Sequence, residues 1–230
     1  MPNNYNNSYK FIEEDNFIYG KFQPDDHPYF VKIEDLYCDK NSYMLEEAYE
    51  AFVSMAEAAR LDSIHLKIIS ATRNFEYQKE LWEKKWMGQT LVDNMKLNKS
   101  LKNPLERARK ILEFTAPPGF TRHHWGTDID INSVEEEYFE TDEGIKVYEW
   151  LKSNAAKYGF CQIYTEQGVL RPSGFKEEKW HWSYIKIAHR IWVNQMDRYS
   201  ENNLSSFKGY QYVRKLNFAK EYLSSINTCH

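Results

Sequence analysis

The feature that most constrains this 230-residue chain is a pair of short, complementary stretches lying far apart. One is Thr121-Arg122-His123-His124-Trp125-Gly126-Thr127-Asp128-Ile129-Asp130; the other is Glu178-Lys179-Trp180-His181-Trp182. Each carries half of a metal site. Together they offer two imidazoles, His123 and His181, the carboxylate of Asp130, and a spare carboxylate, Glu178, three residues before the second imidazole. A catalytic zinc ion needs three protein ligands, an open position for water and a base to take the water's proton. Any fold that uses this inventory must bring the two stretches to one point.

The local spacing says how. His123 and Asp130 flank Gly126, so a tight turn at the glycine can bring a loop histidine and a strand carboxylate together. Alone, that pair reads more readily as a surface histidine and a capping aspartate. The second stretch shifts the balance. Residues three apart on a strand point to opposite faces, which places Glu178 in the loop before the strand, leaning over the metal rather than ligating it. From there it can take a proton from water and return it to a departing amine. By the same alternation Trp180 and Trp182 are expected in the core. A third segment, Ser70-Ala71-Thr72-Arg73-Asn74-Phe75-Glu76-Tyr77-Gln78, reads as a strand end running into a helix. It sets Arg73 where a guanidinium could reach a cleft and steady an oxyanion, a surface ion pair being the alternative. His124 adjoins a ligand and should face elsewhere. His27, His65, His189 and His230 have no motif around them.

Composition narrows the class. The net charge is −4 and no Lys/Arg stripe dominates any segment, which argues against a nucleic-acid footprint. No window approaches the roughly 20 apolar residues of a membrane span. The start, Met1 to Ser8, has neither the basic nor the apolar region of a secretory leader, so residues 1–16 are expected to be a flexible arm. Residues 17–230 are then expected to form one domain, a zinc enzyme if the two stretches meet, with a C-terminal helical extension. The 17 Tyr, 13 Phe and 7 Trp suit core and groove walls alike. Cys38, Cys161 and Cys229 have no CxxC spacing; a Cys161–Cys229 disulfide is open in an oxidising compartment.

The pattern of elements is mixed. Ser42 could cap a helix from about Met44, whose Leu45, Ala48, Tyr49, Phe52, Met55, Ala56 and Ala59 share one face. Strands are expected at 65–70, 127–131, 160–164 and 180–185. Further helices are expected at 74–86, 105–112, 141–158 with Gly159 as its stop, 186–198 and 210–226. Residues 17–33 read as short strands or irregular structure. Residues 89–118 could overhang a cleft, and together with the loop 166–177 are expected to set what it accepts. Few, short strands among helices indicate an α+β domain rather than a doubly wound sheet.

In their order and spacing the three segments resemble the VanY-type D-alanyl-D-alanine carboxypeptidases, zinc peptidases that share a fold with VanX dipeptidases and the Hedgehog signalling domain. The family pattern Ser-x-His-x-x-Gly-x-Ala-x-Asp is met by Thr121, His123, Gly126 and Asp130. Glu178, Trp180 and His181 meet the Glu-x-Trp-His context, and Ser70, Arg73 and Gln78 meet the preceding Ser-x-Tyr-Arg-Ser…Gln segment. The likeness runs from about Ser42 to Ile185. It implies a Hedgehog/DD-peptidase-like α+β fold, a small antiparallel sheet flanked by helices. It implies one catalytic Zn2+ on His123, Asp130 and His181, Glu178 as base and Arg73 at the scissile carbonyl. Gln78, Thr121 and Asp128 are expected to line the substrate. Asp128 stands where the family has a small alanine, so it could orient a histidine, contact a substrate amine or act as an alternative ligand. Thr72 and Asn74 replace the family's Tyr and Ser beside Arg73.

The function implied is removal of the terminal D-Ala from peptidoglycan stem peptides or their precursors, in the periplasm or at the envelope, with a cytoplasmic enzyme as the alternative. An L,D-carboxypeptidase or a wall endopeptidase would use the same chemistry. A non-catalytic wall-binding module with a structural metal is the reading of another class; Glu178 argues against it, since a structural site needs no base.

Overall fold

The computed structural model describes residues 9–229. The first strands, β1 (Phe30–Lys32) and β2 (Tyr43–Leu45), follow a single helical turn, α1 (Asp15–Ile18), and pair antiparallel as a small ribbon. Helix α2 (Glu46–Leu61) then buries Ala48, Tyr49, Phe52, Met55, Ala56 and Ala59 on one face, the stripe expected from spacing. Met44 is spent on β2, and Leu45 precedes the helix without any side-chain cap, so Ser42 does not cap it.

After α2 come β3 (Ile68–Ser70), α3 (Phe75–Trp86), a short α4 (Leu97–Ser100), α5 (Pro104–Ile111) and β4 (Asp128–Ile131). Asn74 caps α3 by accepting from the Tyr77 amide at 2.9 Å, and Asn103 caps α5 by accepting from the Leu105 amide. Helix α6 (Asp142–Asn154) is capped by Thr141 and tightens into a 3₁₀ turn, 155–158, before Gly159 ends it at φ +80°. The chain continues through β5 (Phe160–Gln162), β6 (His181–Tyr184), α7 (Ile185–Asp197) and one turn, α8 (Tyr210–Val213). The helix expected over 210–226 is broken: Asn217 adopts φ +49°, and a π-turn, Ala219–Leu223, follows.

Four strands form one antiparallel sheet in the order β3-β4-β6-β5. The central pair β4–β6 sets the site. Asp128 faces Ser183, Ile129 faces Trp182 and Asp130 faces His181. Period-two alternation therefore puts Asp128, Asp130, His181 and Ser183 on one side, and sends Ile129, Ile131, Trp182 and Tyr184 to the other. All eight are buried.

Two departures concern the ends. The flexible arm was expected to reach residue 16; Met1–Ser8 and His230 lie outside the described residues, but Tyr9, Phe11 and Ile12 are packed. Ile12 is fully buried, residues 10–13 pack on α7, and Tyr9 Oη donates to Glu47 at 2.9 Å. An aromatic cluster of Tyr9, Phe11, Phe17 and Tyr29 accounts for this, and no polar count of the segment reveals it. At the other end Cys161 and Cys229 form a disulfide, pinning the terminal residues along β5, where Asn227 donates to the Gln162 and Ile163 carbonyls. Cys38 is free and buried.

Candidate metal centre and cleft

The loop before β4 bends at Gly126, whose φ is +72°. A Cβ there would lie 2.5 Å from the Phe30 ring and 2.9 Å from the Leu45 amide, so the turn requires glycine on two counts. Just upstream, Thr121 Oγ1 accepts from the His123 amide at 3.3 Å and starts a 3₁₀ turn, Arg122–His124. That turn aims His123 at the sheet face carrying Asp130 and His181.

The three ligand atoms lie within 4.8 Å of one another. His123 Nδ1 is taken up by the Ala71 carbonyl at 2.9 Å, which leaves Nε2 facing Asp130 Oδ1 at 3.3 Å. His181 is turned the other way. Its Nε2 donates to Asp128 Oδ1 at 3.0 Å, and Nδ1 faces Asp130 Oδ1 at 3.3 Å and Glu178 at 3.5 Å. Each imidazole thus spends its N–H on an oxygen behind it and turns its other nitrogen inward, as metal-binding histidines do. Asp130 Oδ1 is buried with no hydrogen-bond donor among the described residues. Two ring nitrogens and an orphaned carboxylate oxygen, converging on one point with a base beside them, fit a zinc ion with an open coordination position.

Electrostatics follow from burial and partners. Burial pushes the Glu178 carboxyl up to about 8, helped by the Asp130 charge and opposed by His181 and Arg73. Burial alone would lower His181, but the Asp128 and Asp130 carboxylates on either side of its ring outweigh that and hold it up at about 9. Asp130 and Asp128 are buried yet held far below the usual carboxylate range, Asp130 by both histidines and Asp128 by Arg122 and His181. Burial and the Arg73 charge lower His123.

Asp128 was expected to line the substrate; it does not. It is fully buried behind His181 and accepts four hydrogen bonds: from Arg122 Nε at 2.8 Å, His181 Nε2 at 3.0 Å, Thr127 Oγ1 at 2.6 Å and Ser183 Oγ at 3.0 Å. Of the roles open to it, the geometry assigns the orientation of a histidine. Arg122 closes this network with a second bond, Nη2 to Ser183 Oγ at 2.7 Å. Neither Arg122 nor Ser183 stands out in the sequence, although Ser183, two past His181 on a strand, shares its face.

His124 faces away from the metal site, as expected. Its Nδ1 donates to the Arg73 carbonyl at 2.5 Å and its Nε2 accepts from the Gly119 amide at 3.0 Å. Burial lowers it to about 3, so it acts as a neutral clamp on the backbone of Arg73. The Arg73 amide in turn donates to the His123 carbonyl at 2.9 Å. The Arg73 side chain enters the cleft, where its Nε is buried without a partner among the described residues.

The cleft itself measures about 450 Å³. His123, Asp130, Glu178 and His181 form its floor, and Arg73, Gln78 and Thr121 line it. Residues 91–93 and 114–116, from the segment expected to overhang, supply one rim, and Glu135–Glu137 another. Tyr164 is a wall that sequence reading missed, its ring 4.8 Å from His181. Trp180 is buried as expected but also forms part of the cleft wall, packed beside Phe114 and Phe139. The strand alternation expected to bury it begins only at His181, because a turn from Glu178 to His181 precedes β6. Gln78 is buried, its Nε2 donating to the Ala116 carbonyl at 2.7 Å while Oε1 has no donor among the described residues.

Comparison with known proteins bears on the same residues. A family model described as "VanY: D-alanyl-D-alanine carboxypeptidase" matches residues 41–187. A D-alanyl-D-alanine carboxypeptidase of Enterococcus faecium is 27% identical over 152 residues, 66% of this chain and 40% of its own length. The chain spans about half the length of the curated relatives it matches. Among solved structures, VanYB in complex with D-alanine-D-alanine superposes with a TM-score of 0.54 at 21% identity, covering 73% of this chain and 83% of that one. A vancomycin-resistance D,D-pentapeptidase VanY in complex with Zn(II) gives 0.51 at 21% identity, covering 81% and 91%. These likenesses establish a common fold, a small antiparallel sheet flanked by helices.

Proposed function

Because the chain belongs to the VanY family of D-alanyl-D-alanine carboxypeptidases, we propose that it is a zinc-dependent carboxypeptidase that removes the terminal D-Ala from peptidoglycan stem peptides or their precursors. The observation that carries this reading is Glu178: a buried carboxylate outside the ligand triad, in the cleft, 3.5 Å from the inward nitrogen of His181. A merely structural metal site has no use for it.

A zinc ion held by His123 Nε2, Asp130 and His181 Nδ1 would supply Lewis acidity at the scissile carbonyl and make a water acidic enough to lose a proton near neutrality. The chain's own groups do the rest. Glu178, made proton-hungry by burial, accepts the proton of the attacking water and passes it to the departing amine. Arg73, braced at its amide by His123 and at its carbonyl by His124, holds a guanidinium toward the carbonyl oxygen as negative charge develops there. Gln78 and Thr121 line the substrate. Asp128, pinned by Arg122, keeps His181 in the tautomer that leaves Nδ1 free.

An enzyme of wall peptides would meet its substrate in the periplasm or at the envelope. The Cys161–Cys229 disulfide supports that location, since such bonds persist in oxidising compartments. No helix among the described residues is long and apolar enough to cross a membrane.

The test is D-alanine release from a muramyl pentapeptide, with the tetrapeptide in parallel, before and after chelation and zinc return. Release from the pentapeptide, abolished by chelation and restored by zinc, is the expected result. Release from the tetrapeptide alone would reassign the enzyme as an L,D-carboxypeptidase, and silence on both would remove the reading. Glu178→Gln should keep zinc and lose turnover by roughly 10²–10⁴-fold; full activity in that variant would strip Glu178 of its role.

A further inference from the structure

Lys85 is a cation in the cleft that this chemistry leaves unused. Lys85 lies on α3 seven residues after Gln78, so both side chains leave the same helical face and enter the cleft. They are anchored on consecutive residues: Lys85 Nζ donates to Thr115 Oγ1 at 2.6 Å, and Gln78 Nε2 donates to the Ala116 carbonyl. An ammonium has three protons to donate. Thr115 takes one, and among the described residues no carboxylate pairs with Lys85.

The acids whose charge reaches it are engaged elsewhere or stand off. Glu178 faces His181, Asp93 pairs with Lys110, and Glu135 lies on the cleft rim. A largely buried lysine without a counter-charge is costly unless something supplies one. Long lysine stems usually carry the charge out to water; here the stem delivers it into a substrate cleft. The division of labour with Arg73 is also on the page. The Arg73 backbone is bonded to that of His123, beside the metal ligands, whereas Lys85 stands near the far end of α3, past Gln78.

We propose that Lys85 anchors the free carboxylate of the substrate's C-terminal residue and so sets the preference for a terminal over an internal amide bond. The proposal rests on the peptidase reading above. The leaving residue's carboxylate is one residue beyond the scissile carbonyl, about 4 Å along the chain. It is the anion that separates a carboxypeptidase substrate from any internal stretch of the same peptide. Two unspent N–H donors on Lys85 suit its two oxygens, and charge-assisted bonds of this kind are the strong ones.

The experiment measures binding with the base removed, so turnover does not enter. Zinc-loaded Glu178→Gln protein is titrated calorimetrically with N-acetyl-D-alanyl-D-alanine and with its C-terminal amide, then compared with the same protein carrying Lys85→Gln or Lys85→Arg. The parent should bind the acid about tenfold or more tighter than the amide. Lys85→Gln should bring the ratio close to one, and Lys85→Arg should restore most of it. An unchanged ratio in Lys85→Gln overturns the anchor. So does equal weakening of both ligands, which would mark a structural lysine, or the lack of any acid preference in the parent. Failure of the unmodified enzyme to release D-alanine would count against the carboxypeptidase reading instead, because the binding ratio is read independently.

Discussion

Removing the Asp128 carboxylate should separate two roles that one buried network combines. Asp128 takes hydrogen bonds from Arg122, His181, Thr127 and Ser183, and neither it nor Arg122 reaches solvent to any extent. Asp128→Ala leaves the Arg122 guanidinium buried without its counter-charge, a change that costs about 3–5 kcal/mol. It also frees His181 to rotate, or to carry its proton on the inward nitrogen, which should weaken zinc binding by roughly 10–100-fold. The two effects part in the double variant. Arg122→Met removes the orphaned charge, so Asp128→Ala with Arg122→Met should regain about 2 kcal/mol or more over Asp128→Ala alone. Zinc affinity should stay weak, because no oxygen returns to His181 Nε2. Urea unfolding of chelated protein reads the first quantity, and competition with a chromophoric chelator reads the second. The reasoning is refuted if the double variant is no more stable than the single one, or if zinc affinity survives Asp128→Ala within about twofold of the parent.

Other outcomes follow from the same geometry. Arg73→Ala should lower kcat by about 10²–10³ with a smaller change in KM, as for loss of an oxyanion donor; a KM effect alone would move Arg73 to ground-state binding. Chelated protein should be most stable near pH 6.5. Below that value the unfolded chain protonates His123 and His124, which the fold keeps neutral. Above it the fold must give up the protons that raise Glu178 to about 8 and His181 to about 9, so stability present below their unfolded values of 4.5 and 6.5 is lost as pH rises through the folded ones. Each proton contributes a slope of about 1.4 kcal/mol per pH unit, and Glu178→Gln should remove one such slope from the alkaline side of the unfolding profile. Replacing Cys161 and Cys229 by serine should cost about 2–4 kcal/mol of stability under oxidising conditions and nothing under reducing ones, measured by denaturant midpoints.

What the sequence made legible was whatever short-range rules control. The extent of α3, the start of α6 at Thr141, the αL stop at Gly159 and the apolar stripe of α2 each follow from a few neighbouring residues, and each is where spacing put it. The candidate ligand triad was legible because a strand's period of two places Asp130 and His181 on faces that a single sheet can join. Arg122 was not, because its value lies in partners on two other segments, Asp128 and Ser183. Asp128 could be read three ways until the other side of the sheet showed which histidine nitrogen it meets. Trp180 is buried as expected, but its place on the cleft wall was not legible, because the strand's alternation begins only one residue later, after a turn. Residues 9–16 look polar in sequence, yet Ile12 and Phe11 bury against α7 and a cluster of rings that no local rule foretells.

The direct opposition of Asp130 and His181 across β4 and β6 has a consequence for assembly. Alternation means that a slip of one residue in that pairing would turn Ile129 or Trp182 toward the ion and hide a ligand in the core. Only the correctly aligned sheet can grip a divalent cation. Zinc at a hundred times its dissociation constant would add about 2.7 kcal/mol to that alignment and nothing to its slipped rivals. The ion is then a proofreader of strand pairing, checking during refolding that two segments separated by α6 and β5 have met in step.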